Sequence, residues 1–245
     1  MDAENSVENL LVIPARLGST RLSKKALLSE SGQPLIVHTL LRASQSQKAD
    51  VIVVATDSVD IVEVVEAAGH RAMMTAVDHP SGTDRVAEVA ESYKPKRIVN
   101  VQGDEPFIEA GLVDRLFAEL EDNPNIPMVT AVNRQEGLEG LQSSSVVKVV
   151  VNAKGHAMYF SRSTIPHDRD QLGTSYLRHL GIYAYQYDYL LDFRNLPTGR
   201  LEGIEKLEQL RALENGDIIK VLETGYEGFS VDTEEDYKKF LGRIK

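Results

Sequence analysis

Short, unbroken apolar runs alternate with helix-patterned segments through the first half of this chain. The predicted strands are Leu10–Pro14, Val51–Ala55, Arg71–Thr75 and Arg97–Val101, and the predicted helices are Pro34–Ser44, Val59–Ala68, Thr83–Tyr93 and Gly111–Leu120. Strands of this kind, each followed by a helix, are typical of βαβ units with both sheet faces covered. The pattern therefore predicts an α/β fold with a mostly parallel central sheet. Ligands of such sheets bind outside the carboxyl ends of the strands.

The second half of the chain is less regular. Its predicted strands are Val146–Val151, Met158–Ser161, Gly181–Tyr185 and Ile218–Leu222, and its predicted helices are Glu202–Leu213 and a last one that begins after Asp232 and runs through Leu241. There is no internal repeat and no long linker. We therefore predict one domain, 1–245, in which residues from about 133 to 216 elaborate the same sheet.

The composition excludes several classes of protein. A net charge of −10 over 245 residues argues against a general nucleic-acid binder, which needs a basic face. The absence of cysteine excludes disulfides, thiolate nucleophiles and cysteine-ligated metals. The N-terminal segment Met1–Asn9 lacks the pattern of a signal peptide, and no apolar run is long enough to span a bilayer. We expect a cytoplasmic protein that binds neither nucleic acid nor membrane.

A basic loop follows the first predicted strand. It contains Arg16, Gly18, Ser19, Arg21, Lys24 and Lys25. Such a loop at the carboxyl end of a strand favours a polyanion, most simply a nucleoside triphosphate, although a solvated basic turn is the other interpretation. Neither the P-loop spacing nor GxGxxG is present. Because guanidinium groups suit phosphate forks and an ammonium acts as a point charge, we assign Arg16 to phosphate clamping and Lys25 to the leaving group.

Two acidic positions are candidates for a metal site. Asp104 follows the strand Arg97–Val101 in a turn with Gly103, and Asp232 precedes the last helix. A carboxylate beside a triphosphate requires a cation between them, and Mg²⁺ takes one or two protein carboxylates plus phosphate oxygens. The alternatives are a turn role for Asp104 and helix capping by Asp232 or Thr233.

Three further polar groups allow a binding or a structural interpretation. The stretch Ser81–Arg85 opens a helix, so Ser81 or Thr83 could simply cap it. Arg162 and Arg178 lie among tyrosines and could hold the carboxylate of an acidic sugar, whereas a lone histidine such as His179 is usually structural. No Ser-His-Asp order or HExxH pair is present, which disfavours hydrolysis by those routes.

Together these residues resemble one family, the 3-deoxy-manno-octulosonate (Kdo) cytidylyltransferases. The matching stretches are IPARLGSTRL at 13–22 with Lys25, VATD at 54–57, SGTDR at 81–85, NVQGDEP at 100–106, VVKVV at 146–150, YFSRSTIP at 159–166, RHLGIYAY at 178–185, LEQLRALENG at 207–216 and VDTEED at 231–236. They occur in the family's order over nearly the whole chain.

The resemblance implies a Rossmann-like nucleotidyltransferase fold with a smaller dimerisation and sugar-binding elaboration, usually a homodimer. It implies transfer of CMP from CTP to Kdo, releasing pyrophosphate, with Mg²⁺, for lipopolysaccharide biosynthesis. The roles carried over are catalysis for Arg16 and Lys25, nucleotide binding for Ala15, Gly18, Ser19, Arg21, Ser81, Gly82, Arg85, Gln102 and Gly103, metal binding for Asp104 and Asp232, and sugar binding for Arg162, His179, Tyr183, Glu202 and Gln209.

The chain departs from this family's pattern at three places. Ser23-Lys24-Lys25-Ala26 stands where the family usually has Pro-Gly-Lys-Pro, His167 replaces a large aromatic residue, and Gly203 stands where many relatives carry histidine. The last two bear on the sugar, so a cytidylyltransferase for 8-amino-Kdo or a sialic acid is the alternative enzyme. A nucleotide-binding module without catalysis is the alternative from another class. A nicotinamide dehydrogenase is a third hypothesis, weakened by the missing glycine fingerprint.

Overall fold

A computed structural model of the chain describes residues 7–19, 21–137, 140–170, 173 and 175–244. Met1–Ser6 of the N-terminal segment and Thr20 of the basic loop lie outside these described residues. The chain divides into two compact units, unit 1 with Met1–Ala118 and Gly228–Lys245, and unit 2 with Glu119–Glu227. The expectation of a single domain with an elaboration at about 133–216 stays a prediction.

The described residues form an α/β arrangement of strands and helices. The strands are β1 Asn9–Ala15, β2 Val51–Thr56, β3 Arg71–Met74, β4 Arg97–Asn100, β5 Met128–Gln135, β6 Lys148–Val151, β7 Ala157–Ser161, β8 Tyr176–Gln186 and β9 Ile219–Thr224. The α-helices are α1 Leu35–Ala43, α2 Val59–Ala67, α3 Gly82–Tyr93, α4 Ala110–Asp122, α5 Tyr187–Asn195, α6 Arg200–Glu205, α7 Leu210–Glu214 and α8 Glu234–Arg243, and a short 3₁₀ helix covers Lys25–Leu27. None of the helices in the described part of the chain is long and apolar enough to cross a membrane.

Unit 1 contains a parallel sheet in the order β3-β2-β1-β4. All seven residues of β1 are buried, as expected for a central strand with both faces covered. The four strands and four helices predicted in this half are all present, and each end lies within two residues of its predicted position. The parallel sheet is thereby confirmed.

The C-terminal helix α8 completes unit 1. Tyr237 and Phe240 pack with Leu35 of α1 and with Val231 in one buried apolar cluster. The backbone N–H of Val231 donates to the carbonyl of Asp104 at 2.9 Å. The C-terminal segment is therefore fixed beside the carboxyl end of β4.

In unit 2, β5 is the central strand of a mixed arrangement. It pairs antiparallel with β8 and parallel with β9, while β6 lies antiparallel to both β7 and β8. The sequence interpretation missed β5 and α5, and it predicted less than half of β8. The polar Thr130 and Asn133, both buried in β5, interrupt the apolar run that would have indicated a strand.

The helix predicted over Glu202–Leu213 is wrong as one element. It is divided into α6 and α7 at Lys206, whose φ of 54° is left-handed. Residues nine apart on one helix lie on opposite faces, whereas here Arg211 donates to both carboxylate oxygens of Glu202, at 2.9 and 2.7 Å. The break lets this half-buried ion pair form.

Candidate functional site

A cavity of about 330 Å³ lies in unit 1 at the carboxyl ends of β1 and β4. Its lining includes every residue that the sequence suggested for the nucleotide and the metal. These are Ala15, Arg16, Gly18, Ser19, Arg21, Lys25, Ser81, Gly82, Arg85, Gln102, Gly103, Asp104 and Asp232, and the lining also includes Pro14, Ala26, Leu35, His79 and Pro80. Parallel strands place their carboxyl ends at one sheet edge, which is why residues so distant in sequence meet there.

Lys25 joins the two acidic residues of the cavity. Its Nζ lies 2.5 Å from Oδ2 of Asp104 and 3.0 Å from Oδ1 of Asp232. A guanidinium nitrogen of Arg21 also lies 3.0 Å from Oδ1 of Asp232. Burial works against the charged ammonium, but the two carboxylates outweigh it and raise the pKa of Lys25. Lys25 therefore stays a cation at this site.

The carboxylate of Asp232 is not used to cap α8. Thr233 is the N-cap residue, its Oγ1 accepts from the N–H of Asp236, and Asp236 accepts from the N–H of Thr233 in return. The capping alternative for Asp232 is therefore wrong, and its side chain faces Lys25 and Arg21.

These two carboxylates suit one hard cation whose shell is shared with a ligand. Among the described residues no group of three or more acidic, histidine or cysteine side chains is placed to hold a metal ion. Mg²⁺ needs only one or two carboxylates when phosphate oxygens supply other ligands, and the Lys25 ammonium already shows that a cation fits between Asp104 and Asp232. The donor set is consistent with such an ion.

Arg85 supports the basic loop. It is 4% exposed, and its guanidinium contacts Oδ2 of Asp57 at 3.2 Å as well as the hydroxyl of Thr75. Oδ1 of Asp57 accepts the N–H of Leu17 at 3.0 Å. Asp57 thus links the start of the basic loop to α3, a role that the VATD stretch alone did not reveal.

The start of α3 combines capping with a place on the cavity wall. Ser81 Oγ accepts from the N–H of Asp84 at 3.2 Å and donates to its carboxylate at 2.7 Å. Ser81 is therefore the N-cap, and the same residue lines the cavity. The capping interpretation is therefore confirmed, and the binding interpretation stays a prediction.

Gly103 permits a close backbone contact. A Cβ at this position would lie 2.9 Å from the carbonyl oxygen of Pro14 and 3.0 Å from Ile36. The carbonyl of Gly103 accepts from Thr39 Oγ1 at 3.0 Å. The backbone at Gly103 therefore lies close to the end of β1, in addition to any contact that it makes with a ligand.

The residues suggested for a sugar all lie in unit 2, where they have different surroundings. His179 contacts the rings of Phe160 and Tyr183, and its Nε2 lies 3.0 Å from Thr130 Oγ1. Burial lowers the pKa of His179 to about 3, so its imidazole is neutral. Burial, and then the charge of Glu208, raise the pKa of Tyr183.

The other three positions differ in whether they have partners. Arg162 donates to the carbonyls of Glu205 and Ser144, both at 2.9 Å, and Glu202 is held by Arg211. Gln209 is 3% exposed, and its Nε2 has no hydrogen-bond partner among the described residues. A buried amide with an unused donor is costly, which marks Gln209 as the member of this group best placed to take a ligand.

The fold and the cavity define a nucleotidyltransferase class, and the comparisons refine it. The cytidylyltransferase family profile matches residues 10–223. The chain is 43% identical to the 3-deoxy-manno-octulosonate cytidylyltransferase of Geobacter sulfurreducens, with 96% of this chain and 98% of the relative covered. It is 44% identical to the protein of that name from Solibacter usitatus, with 93% and 91% covered.

A solved structure agrees with these relatives. A CMP:2-keto-3-deoxy-manno-octonic acid synthetase complexed with CTP superposes with a TM-score of 0.93 at 39% identity, covering 97% of this chain and 98% of that one. The chain belongs to the family of 3-deoxy-manno-octulosonate cytidylyltransferases.

Proposed function

We propose that this protein transfers CMP from CTP to Kdo, giving CMP-Kdo and pyrophosphate. The observation that carries the proposal is that the basic loop meets Asp104 and Asp232 in one cavity. The family and the CTP complex of its structural neighbour support the nucleotide, and the names of the relatives support the sugar acid.

The reaction is one in-line displacement at phosphorus. A hydroxyl oxygen of the sugar bonds to the α-phosphorus of CTP as the bond to the bridging oxygen breaks, pyrophosphate leaves with the electron pair, and the hydroxyl proton passes to solvent. No covalent enzyme intermediate is needed, so the protein contributes positioning and charge.

The cations of the basic loop bind the triphosphate. Arg16 and Arg21 are exposed on the cavity wall and can form two-pronged contacts with phosphate oxygens. Lys25 is held at the carboxylates of Asp104 and Asp232 and can transfer its contact to the departing pyrophosphate. We propose that these two aspartates hold Mg²⁺, which when bound would neutralise charge on the phosphates.

The second substrate is assigned to residues of unit 2. Gln209 offers an unused amide donor, and neutral His179 beside Tyr183 offers polar contacts without repelling or attracting a charge. Arg162 and Glu202 already have internal partners, so we assign them to holding this region in shape. We further propose a homodimer, which sedimentation equilibrium on the purified protein would show as twice the monomer mass.

The function is tested by pyrophosphate release from the purified protein. A panel of the four nucleoside triphosphates is combined with Kdo, 8-amino-Kdo and a sialic acid, with and without Mg²⁺. We expect release with CTP and Kdo that depends on Mg²⁺. Faster turnover of another sugar acid would transfer the proposal to that substrate, and CTP binding without release would indicate a non-catalytic module.

A further inference from the structure

His79 lines the cavity but has no part in the mechanism given above. It lies in the loop between β3 and α3, and its side chain is 17% exposed. Its Nε2 is hydrogen-bonded to Oε2 of Glu88, on α3, and the same oxygen accepts from the N–H of Ala76 at 3.0 Å. The imidazole is therefore held in one orientation by its own loop and helix.

The contact with Glu88 determines which ring nitrogen of His79 carries the proton. Burial favours the neutral acid at Glu88, but the hydrogen bonds from His79 and from the N–H of Ala76 outweigh it and lower the pKa of Glu88. An ionised carboxylate only accepts hydrogen bonds, so Nε2 must donate. In the neutral imidazole Nδ1 then has a lone pair, and it has no hydrogen-bond partner in the part of the chain that the structure describes.

His79 and the phosphate-binding groups have different partners on the cavity wall. Lys25 is paired with Asp104 and Asp232, whereas His79 is bonded to Glu88 of α3 and lies two residues before the N-cap Ser81. A nucleotide whose phosphates lie at Lys25 and Asp104 can place its base against the start of α3, within the same cavity. Ser81, Gly82 and Gln102, already suggested for the nucleotide, line the same cavity as His79.

We propose that Nδ1 of His79 accepts a hydrogen bond from the exocyclic amino group of cytosine and so selects CTP over UTP, with Glu88 as the residue that fixes the tautomer. Uracil has a carbonyl oxygen where cytosine has its amino group. That oxygen would face the Nδ1 lone pair, and neither atom could donate. This inference rests on the proposed use of CTP and adds the residue that distinguishes the base.

The test compares CTP with UTP in the wild type and in two variants. His79→Leu keeps the bulk but removes the acceptor, and it should lower the CTP:UTP ratio of kcat/KM by about tenfold, mainly through slower use of CTP. His79→Asn places an acceptor oxygen close to the Nδ1 position, although its shorter side chain does not reach the position of Nε2, so it should retain more of the ratio than His79→Leu does. All proteins are assayed at one pH, in the same buffer.

Two controls separate base selection from general damage. His70→Leu makes the same change outside the cavity lining, and the ratio should stay at the wild-type value. Glu88→Gln leaves His79 in place but permits the other tautomer, because a side-chain amide can donate as well as accept. The ratio should fall in Glu88→Gln, although the imidazole is unchanged.

A wild-type ratio in His79→Leu would overturn the proposal, as would wild-type protein that uses UTP as readily as CTP. Calorimetric titration of CTP and of UTP, without sugar, gives the same comparison when no product forms. If the wild type forms no product but still binds CTP more tightly than UTP, the proposed function is refuted while the role of His79 is retained.

Discussion

Replacement of Asp104 by asparagine tests the charge at the centre of the site. The side chains have nearly the same shape, and the backbone carbonyl at this position still accepts from Val231. What is lost is one negative charge, 2.5 Å from Nζ of Lys25. Lys25 keeps its contact with Asp232 at 3.0 Å.

The expected effects on stability and on rate differ widely. The Asp104 side chain is 23% exposed, so loss of its ion pair should cost about 1 kcal/mol of unfolding free energy or less. Turnover should fall about 10³-fold or more, equivalent to about 4 kcal/mol of transition-state stabilisation, because the proposed metal loses a charged ligand. A large loss of turnover in a protein that remains folded would therefore indicate that the negative charge of Asp104 acts in the reaction.

The assay is pyrophosphate release at saturating CTP, Kdo and Mg²⁺, with urea unfolding followed by circular dichroism on the same samples. Asp60→Asn, on the exposed start of α2, is the matched control and should leave turnover unchanged. Near-normal formation of CMP-sugar by Asp104→Asn would refute the assignment. So would a rate loss that merely follows the fraction of unfolded protein.

Three further changes test the basic loop, the backbone contact at Gly103 and His179 of unit 2. Lys24 has a φ of 49°, a conformation that costs an L-residue about 1–2 kcal/mol. Lys24→Gly should therefore raise the unfolding free energy by about 0.5–1 kcal/mol in urea titrations, and a decrease would contradict this. Gly103→Ala brings a Cβ to 2.9 Å from the carbonyl oxygen of Pro14 and should destabilise the folded protein by about 1–3 kcal/mol. The melting temperature should fall, and an unchanged melting temperature would show that the backbone moves without cost. The pKa of His179 is about 3 in the folded protein, below the value of about 6.5 in the unfolded chain. Between these two pH values only the unfolded chain binds a proton, so the free energy of unfolding decreases as the pH falls from about 6.5 to about 3. Between pH 7.5 and 5 the wild type should lose up to about 2 kcal/mol more than His179→Gln in urea titrations, and equal losses would show that His179 protonates in the folded state.

The first half of the fold could be predicted because each of its elements carries a local signal. β1 and β2 are continuous apolar runs, and α2 repeats apolar residues at helical intervals up to Gly69, whose φ is 81°. The candidate nucleotide site followed from this pattern, since its residues come directly after predicted strands. Lys24, at the position where the family pattern led us to expect glycine, adopts a left-handed conformation.

Unit 2 was harder to predict because its polar side chains find their partners outside their own helix or strand. Lys148 is fully buried in β6, and its charge is tolerated only because Nζ donates to three backbone carbonyls, of Ser143, Val146 and Arg162. The division between α6 and α7 depends in the same way on the pairing of Glu202 with Arg211. The pattern of apolar residues along the chain indicates neither set of partners.

The order of strands and helices in unit 1 and the chemistry at the strand ends follow from the amino-acid sequence, because periodicity and residue type act locally. Which charges meet depends on how the folded elements pack. Asp232 reaches Lys25 across 207 positions of sequence, since α8 packs against α1 and the chain before it is bonded to Asp104. The orientation of His79 was likewise decided by Glu88, a partner that the folded helix brings to it.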